Sequence, residues 1–136
     1  MREGHKSFGA AVDTIGTYQA DGIWAMRAWA TANEATLVAY LQAIVQGYRW
    51  AADPGNRGPA TAMIARVLKL DEEIAAKALD IAVGAKPGLV RDARIDEDGF
   101  KNPLKLRAEL VGGDANAAPA KYLELSYYER ALAGMP

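Results

Sequence analysis

The most regular hydrophobic pattern in the chain begins at Asn33. From there the apolar side chains recur at the spacing of one face of an α-helix. That face comprises Leu37, Val38, Leu41, Ile44, Val45 and Tyr48. Asn33 is a suitable N-cap, and Asp53-Pro54-Gly55 should end the helix because proline disfavours helical backbone at the residue before it. The pattern predicts one long helix over residues 33–53.

Two shorter helices are predicted next. The first begins near Asn56 and is expected to bury Ala60, Met63, Ile64, Val67 and Leu68. The second is capped by Asp71, and its inward residues are expected to be Ile74, Ala78, Leu79 and Ala82. Acidic residues at positions 72 and 73 favour the positive end of this helix. Gly84 and Pro87-Gly88 should end it.

A fourth helix has two alternative starts. Asp96 can cap it, in which case Pro103 lies inside the helix and kinks it, or it begins at Asn102 with Pro103 in the first position. Its apolar side is formed by Phe100, Leu104, Leu106 and Leu110.

The last part of the chain is predicted as a loop over residues 112–118, a short helical or turn segment over 119–125, and a final helix over Ser126–Ala133. Ser126 is the expected cap of this helix, with Glu129 completing a capping box.

Strand signals are confined to the amino-terminal part. Residues 1–17 include a short strand near residues 9–13, and residues 20–30 are predicted as a strand at Ile23-Trp24 followed by a turn of helix. The fold class is therefore mainly α with one or two short strands. The 136 residues and 14.6 kDa fit a single domain over 1–136.

Charge and composition exclude several functions. Sixteen Lys and Arg against seventeen Asp and Glu give a net charge of -1, so no strong field attracts the chain to nucleic acid. We therefore predict no nucleic-acid partner. No apolar run approaches the roughly 18 residues that a transmembrane helix needs. The amino terminus lacks the apolar core of a signal peptide.

The residues needed for most redox and metal chemistry are absent. There is no cysteine and a single histidine, His5, so thiolate nucleophiles, cysteine-ligated zinc and multi-histidine metal sites are excluded. The run Asp96-Glu97-Asp98 is interpreted as a helix start because Glu109 lies thirteen positions after Asp96, which does not fit a calcium loop. We predict no enzyme activity, no catalytic or metal-binding residue and no cofactor.

Several aromatic residues and one short polar segment remain as candidates for a binding site. Trp24, Trp29, Trp50 and the pair Tyr127-Tyr128 are predicted to be core residues, although such aromatics can also line a pocket. Tyr18, Gln19 and Asp21 are the candidate ligand-binding residues, because they carry hydrogen-bonding groups where an irregular segment meets a regular element.

Several motifs, taken together and in order, resemble a known family. They are Thr17-Tyr18-Gln19, Trp29-Ala30-Thr31-Ala32-Asn33, Trp50-Ala51-Ala52-Asp53-Pro54-Gly55-Asn56-Arg57, Leu104-Lys105-Leu106-Arg107-Ala108-Glu109 and Pro119-Ala120-Lys121-Tyr122-Leu123-Glu124-Leu125-Ser126-Tyr127-Tyr128-Glu129-Arg130-Ala131. Their sequence and spacing are similar to the carboxy-terminal part of periplasmic solute-binding proteins of ABC transporters. The resemblance is to the group that takes up nitrate, sulfonates, taurine and thiamine-precursor pyrimidines.

The resemblance implies two α/β lobes that close on a ligand by hinge motion. Residues 1–19 would be a crossover segment and 20–136 the carboxy-terminal part of the first lobe, without most of the cleft. It implies a small-molecule solute and an ABC-transporter permease as partners of the complete protein, and a periplasmic location. Tyr18 and Gln19 would face the cleft.

A second hypothesis is a stand-alone helical module that self-associates, encoded by a truncated gene. In either case the isolated chain is expected to form a homodimer or higher oligomer by burying Ile23, Trp24 and Met26 of two copies, and to bind no nitrate, sulfonate or pyrimidine.

Overall fold

The computed structural model describes residue 6 and residues 8–84 and 88–136, and contacts between residues divide the chain into two compact units. The first unit contains Met1–Gly22 and Ile95–Tyr122, and the second contains Ile23–Arg94 and Leu123–Pro136. His5, the single histidine, and Pro87, a predicted helix breaker, lie outside the described residues.

Helices account for most of the described chain, so the mainly α prediction is confirmed. The α-helices are α1 (Ala11–Ile15), α2 (Arg27–Ala32), α3 (Glu34–Ala52), α4 (Arg57–Leu68), α5 (Glu72–Val83), α6 (Glu97–Val111) and α7 (Ser126–Ala133). Short 3-10 turns occupy Pro54–Asn56, Arg91–Ala93 and Pro119–Lys121. None of these helices is both long and apolar enough to cross a membrane.

The predicted short strands are wrong for the residues that the structure describes. Residues 11–13 belong to α1, which Gly16 ends with a φ of 78° and a hydrogen bond from its N–H to the Val12 carbonyl. Ile23 and Trp24 form neither strand nor helix. A strand needs a neighbour to satisfy its backbone groups, and the local pattern of side chains cannot supply one.

In the second unit, α3 carries the predicted core. Leu37 and Val45 are buried and the other four residues of its apolar face are half-buried, so that face is confirmed. Helix α7 packs on α3 through Ala131, which is fully buried and lets the two backbones approach. The Gln42 side chain donates to the Ala131 carbonyl at 3.2 Å, and Arg130 pairs with Glu34 at 2.9 Å.

Helices α4 and α5 pack against each other with small residues. Ala60 and Thr61 of α4 and Ala75 and Leu79 of α5 are buried. The predicted burial of Ala60 and Leu79 is confirmed, and Ile64 is half-buried. The prediction is wrong for Met63, Val67, Leu68 and Ile74, which are exposed. Alanine at the contact allows close approach of the helix axes, and the bulky side chains are then placed on the outer faces.

The helix ends are at the predicted places but use different caps. The Asn33 side chain donates to the Trp29 carbonyl at 2.9 Å and makes no capping bond to α3. The capping box predicted for Ser126 and Glu129 is wrong, because Ser126 is already the first helical residue of α7 and its N–H donates to the Glu124 carboxylate at 3.1 Å.

The first unit is organised around α6, which begins after Asp96 and continues through Pro103 as one helix. Of the two predicted starts, the structure therefore has the one at Asp96. Phe100, Leu104 and Leu106 are half-buried, whereas Leu110 is 81% exposed. The Phe100 ring lies 6.3 Å from that of Tyr122, between ring centres.

Candidate functional site

The predicted ligand-binding residues lie in the non-helical segment between α1 and α2. Tyr18 and Gln19 are half-buried, and Asp21 is exposed. All three belong to the first unit, where the segment is attached to the beginning of α6.

Gln19 makes most of this attachment. Its backbone N–H donates to the Gly99 carbonyl at 2.9 Å, and its side-chain oxygen accepts from the Asp96 N–H at 2.9 Å. Its side-chain NH2 donates to the Asp21 carbonyl at 2.6 Å. Both polar atoms of the Gln19 amide are thus engaged within the chain, and one of them satisfies a backbone N–H at the helix start that the helix itself leaves without a partner.

Pro103 explains why the Gly99 carbonyl is free to accept this bond. Proline has no N–H, so the carbonyl four residues earlier lacks its partner within the helix. The Gln19 N–H supplies the missing donor. Nearby, the Asn102 side chain donates to the Ile15 and Thr17 carbonyls and so holds the chain just before Gln19.

Gly99 allows the segment to approach α6 closely. A Cβ at this position would lie 2.6 Å from a carboxylate oxygen of Asp96 and 3.3 Å from the Gln19 nitrogen. A side chain at Gly99 would therefore collide with the Asp96 carboxylate and crowd the Gln19 backbone. We call this set of contacts among Gln19, Asp96, Gly99 and Asn102 the Gln19 clamp.

Tyr18 and Asp21 keep the polar ends of their side chains available. Within the described part of the chain, neither the Tyr18 hydroxyl nor the Asp21 carboxylate makes a hydrogen bond or ion pair. They flank the clamp in sequence, so the backbone that carries them is held on both sides of Gln19. This leaves two groups, a hydroxyl and a carboxylate, that can accept a hydrogen bond from a solute.

The acidic run at the start of α6 takes part in helix contacts. Asp98 pairs with Lys101 at 2.6 Å, and this hydrogen bond lowers the pKa of the Asp98 carboxyl. Among the residues that the structure describes, no group of three His, Cys, Asp or Glu side chains is placed to hold a metal ion.

The second unit has a cavity of about 510 Å³ near the carboxyl end of α3. It is lined by Tyr48, Arg49, Ala52, Asp53, Val83, Leu89, Val90, Arg91 and Asp92. Its charged residues are two arginines and two aspartates, so the lining carries no net charge.

Two of the charged residues that line this cavity, Arg49 and Asp92, are paired with each other. Arg49 donates to the Asp92 carboxylate at 2.7 Å and to the Pro136 carbonyl at 3.0 Å. The hydrogen bond from Arg49 lowers the pKa of Asp92, while burial raises the pKa of Tyr128, whose hydroxyl donates to the Asp92 carbonyl at 2.9 Å. Asp92 has a φ of 59°, a conformation that aspartate tolerates better than most residues. The Arg49–Asp92–Tyr128 group therefore joins α3, the Arg91–Ala93 turn and α7.

No sequence pattern predicts this group. Arg49 is an exposed residue of α3 outside the apolar face of that helix, and Asp92 lies in a segment with no periodic pattern. Their pairing across 43 positions leaves no local signal.

The prediction that the three tryptophans are core residues is wrong. Trp24, Trp29 and Trp50 are 87%, 46% and 37% exposed, so they do not form the core. Tyr127 and Tyr128 are half-buried, and the Arg130 guanidinium lies 4.8 Å above the Tyr127 ring.

Comparison with known proteins adds no relative: no protein-family model, curated protein or solved structure matches the chain.

Proposed function

We propose that this chain is the carboxy-terminal part of a solute-binding protein of an ABC transporter, in the group that takes up nitrate, sulfonates, taurine or pyrimidine precursors. In this function the protein catalyses no reaction. The complete protein binds a small organic ion in the periplasm and delivers it to a membrane permease. The present chain forms part of the first of two lobes.

One observation carries this proposal: five motifs that resemble the family follow one another in the same order and spacing from Thr17 to Ala131. Several of their residues hold helices together. Asn56 donates to the Trp50 carbonyl at 3.1 Å, which closes the turn between α3 and α4. Arg57 reaches both carboxylate oxygens of Asp80 on α5 at 2.7 Å. These contacts support a framework role for the motifs.

The solute would be bound by residues of the segment before α2. Tyr18 and Asp21 carry the hydroxyl and carboxylate that face it, and Gln19 positions them through the Gln19 clamp. This assignment refines the expectation from sequence, in which the Gln19 side chain itself contacts the ligand. A carboxylate at such a site favours a solute that bears a donor or a positive charge, such as an amino group.

The test begins with the gene. Sequencing upstream of the first codon should reveal an in-frame, strand-rich segment preceded by a signal peptide. Calorimetry on the complete product should show saturable one-to-one binding of taurine or an aminopyrimidine, whose amino groups can donate to the Asp21 carboxylate, in preference to nitrate or an alkyl sulfonate, while the 136-residue chain binds none of them. The absence of such a segment, or saturable binding by the short chain, contradicts the proposal.

Two variants of the complete protein test the site. Asp21→Asn and Tyr18→Phe should each weaken binding on the order of tenfold, the loss expected for one hydrogen bond to a charged partner. Asp13→Asn changes an exposed carboxylate on α1 of the same unit and is the control. Equal affinities for the Asp21 and Asp13 variants would exclude Asp21 from the site.

A second candidate function is a stand-alone helical module that self-associates. The outward apolar residues Met63, Val67 and Leu68 of α4 and Ile74 and Ile81 of α5 favour it, because large exposed apolar patches mark interaction surfaces. A true start codon with no strand-rich segment upstream would support this function over transport.

A further inference from the structure

The cavity near the carboxyl end of α3 is bordered by large apolar side chains that remain exposed. Val83, Leu89 and Val90 all line it. Its volume of about 510 Å³ lies within the roughly 300–1,000 Å³ typical of small-molecule sites. Such sites have a mainly apolar wall and a few polar groups that orient the ligand. The cavity therefore has the size and the apolar surface to take up a small organic molecule.

The four charged residues of the lining differ in how fully their hydrogen-bonding groups are used. Arg49 and Asp92 neutralise each other at 2.7 Å. Arg91 is exposed, and within the described residues its guanidinium makes no hydrogen bond or ion pair. Asp53 accepts from the Gly55 N–H at 2.8 Å with its Oδ1 atom, and its Oδ2 atom accepts no bond from the described chain. One cation and one carboxylate of the lining can therefore still bind a ligand.

We propose that this cavity binds a zwitterionic amino acid with an apolar side chain, such as phenylalanine or leucine. The Arg91 guanidinium donates to the carboxylate of the ligand, and the Asp53 carboxylate accepts from its ammonium group. The apolar wall of Val83, Leu89 and Val90 contacts its side chain.

The charges of the lining select a zwitterion over a simple anion or cation. Arg91 and Asp53 are not paired with each other in the described structure, so each can bind one charged group of the ligand. A ligand with a single charge would leave the other residue uncompensated, whereas an amino acid satisfies both. The lining lies in the second unit, whereas Tyr18 and Asp21 lie in the first. The proposal therefore does not rest on the transport function.

Calorimetry on the isolated 136-residue chain tests the class of ligand. Phenylalanine should bind with a submillimolar Kd. Phenylpropionate, which lacks the amino group, and phenethylamine, which lacks the carboxylate, should each bind about tenfold more weakly, the loss expected for one charge-assisted hydrogen bond. Taurine carries both charges but no apolar side chain and should not bind, as the transport proposal also requires of this chain. The absence of saturable phenylalanine binding, or equal affinities for phenylalanine and phenylpropionate, overturns the proposal.

Two conservative variants test the roles of the charged residues. Arg91→Gln should weaken the binding of phenylalanine and phenylpropionate about tenfold and should not weaken that of phenethylamine. Asp53→Asn should weaken the binding of phenylalanine and phenethylamine and should not weaken that of phenylpropionate. The asparagine oxygen can still accept from the Gly55 N–H, so the turn after α3 is kept.

Arg66→Gln is the matched control for these variants, because Arg66 is exposed on α4 and does not line the cavity. Its affinities for all three ligands should equal those of the unchanged chain. If Arg91→Gln or Asp53→Asn weakens the three ligands equally, or none of them, the assigned contact between that residue and the ligand is wrong.

Discussion

Replacing Gln19 by alanine should loosen the start of α6. The substitution removes the acceptor for the Asp96 N–H at 2.9 Å and the donor to the Asp21 carbonyl at 2.6 Å. A typical hydrogen bond within a protein contributes about 0.5–1.5 kcal/mol net, and Gln19 is half-buried, so water can replace part of each bond. The expected loss is therefore about 1–2 kcal/mol in the free energy of opening α6.

Amide hydrogen exchange measures this loss directly. The Phe100 N–H donates to the Asp96 carbonyl at 2.8 Å in the first turn of α6 and reports its opening. A loss of about 1–2 kcal/mol increases its exchange rate roughly 5–30-fold. Gln46→Ala is the control, because Gln46 is exposed in the middle of α3 and belongs to the other unit.

Equal exchange rates of the Phe100 N–H in the Gln19→Ala and Gln46→Ala variants would contradict this prediction. That result would mean that the Gln19 side chain does not hold α6, and it would return Gln19 to the set of residues free to bind a solute. Gln19→Glu separates the two bonds. It keeps an acceptor for the Asp96 N–H but places a second carboxylate oxygen where the amide donated to the Asp21 carbonyl, so an intermediate rate is expected.

Two further predictions concern the second unit. Thr61→Val should raise the free energy of unfolding, measured by urea denaturation, by about 1 kcal/mol. The buried Thr61 hydroxyl has no hydrogen-bond partner within the described residues, and valine has nearly the same shape. A lower free energy of unfolding would contradict this prediction. Arg49 lowers the pKa of Asp92 below its ordinary value, so the stability from this pair is complete above about pH 4 and is lost as the pH falls through the lowered pKa. Asp92→Asn should therefore lower the free energy of unfolding at pH 7 and flatten its decline in acid, and an unchanged acid limb in that variant would show that the pair contributes nothing.

The positions of the helices were largely determined by the sequence. The period of the apolar residues in α3 identifies its buried face, and the breakers at Pro54, Gly84 and Gly112 lie at or next to helix ends in the structure. These signals act within a few residues, since they depend on the helix repeat and on backbone geometry, and a single chain reveals them. The mainly α class follows from them.

Which residues of α4 and α5 are buried could be established only from the tertiary structure. A periodic pattern shows that a helix has an apolar face but not what covers it. In this protein alanine and threonine, together with Leu79, form the contact, because small side chains let the axes approach, and larger residues such as Met63 and Val67 are left outside. The same limit applies to Ile23 and Trp24, whose β-rich pattern predicts a strand that has no neighbour in the described chain.

The difference between what the sequence predicts and what only the tertiary structure decides is clearest at the candidate site. Tyr18, Gln19 and Asp21 could be selected from their polar character and their place beside a regular element. Their different roles could not be predicted from the sequence. The Gln19 clamp joins residues about eighty positions apart and depends on a carbonyl that Pro103 leaves free. The sequence contains Pro103, Gly99 and Gln19 as separate local features. Only folding brings the unpaired carbonyl, the missing Cβ and the amide together, since long-range hydrogen bonds leave no periodic trace in the chain.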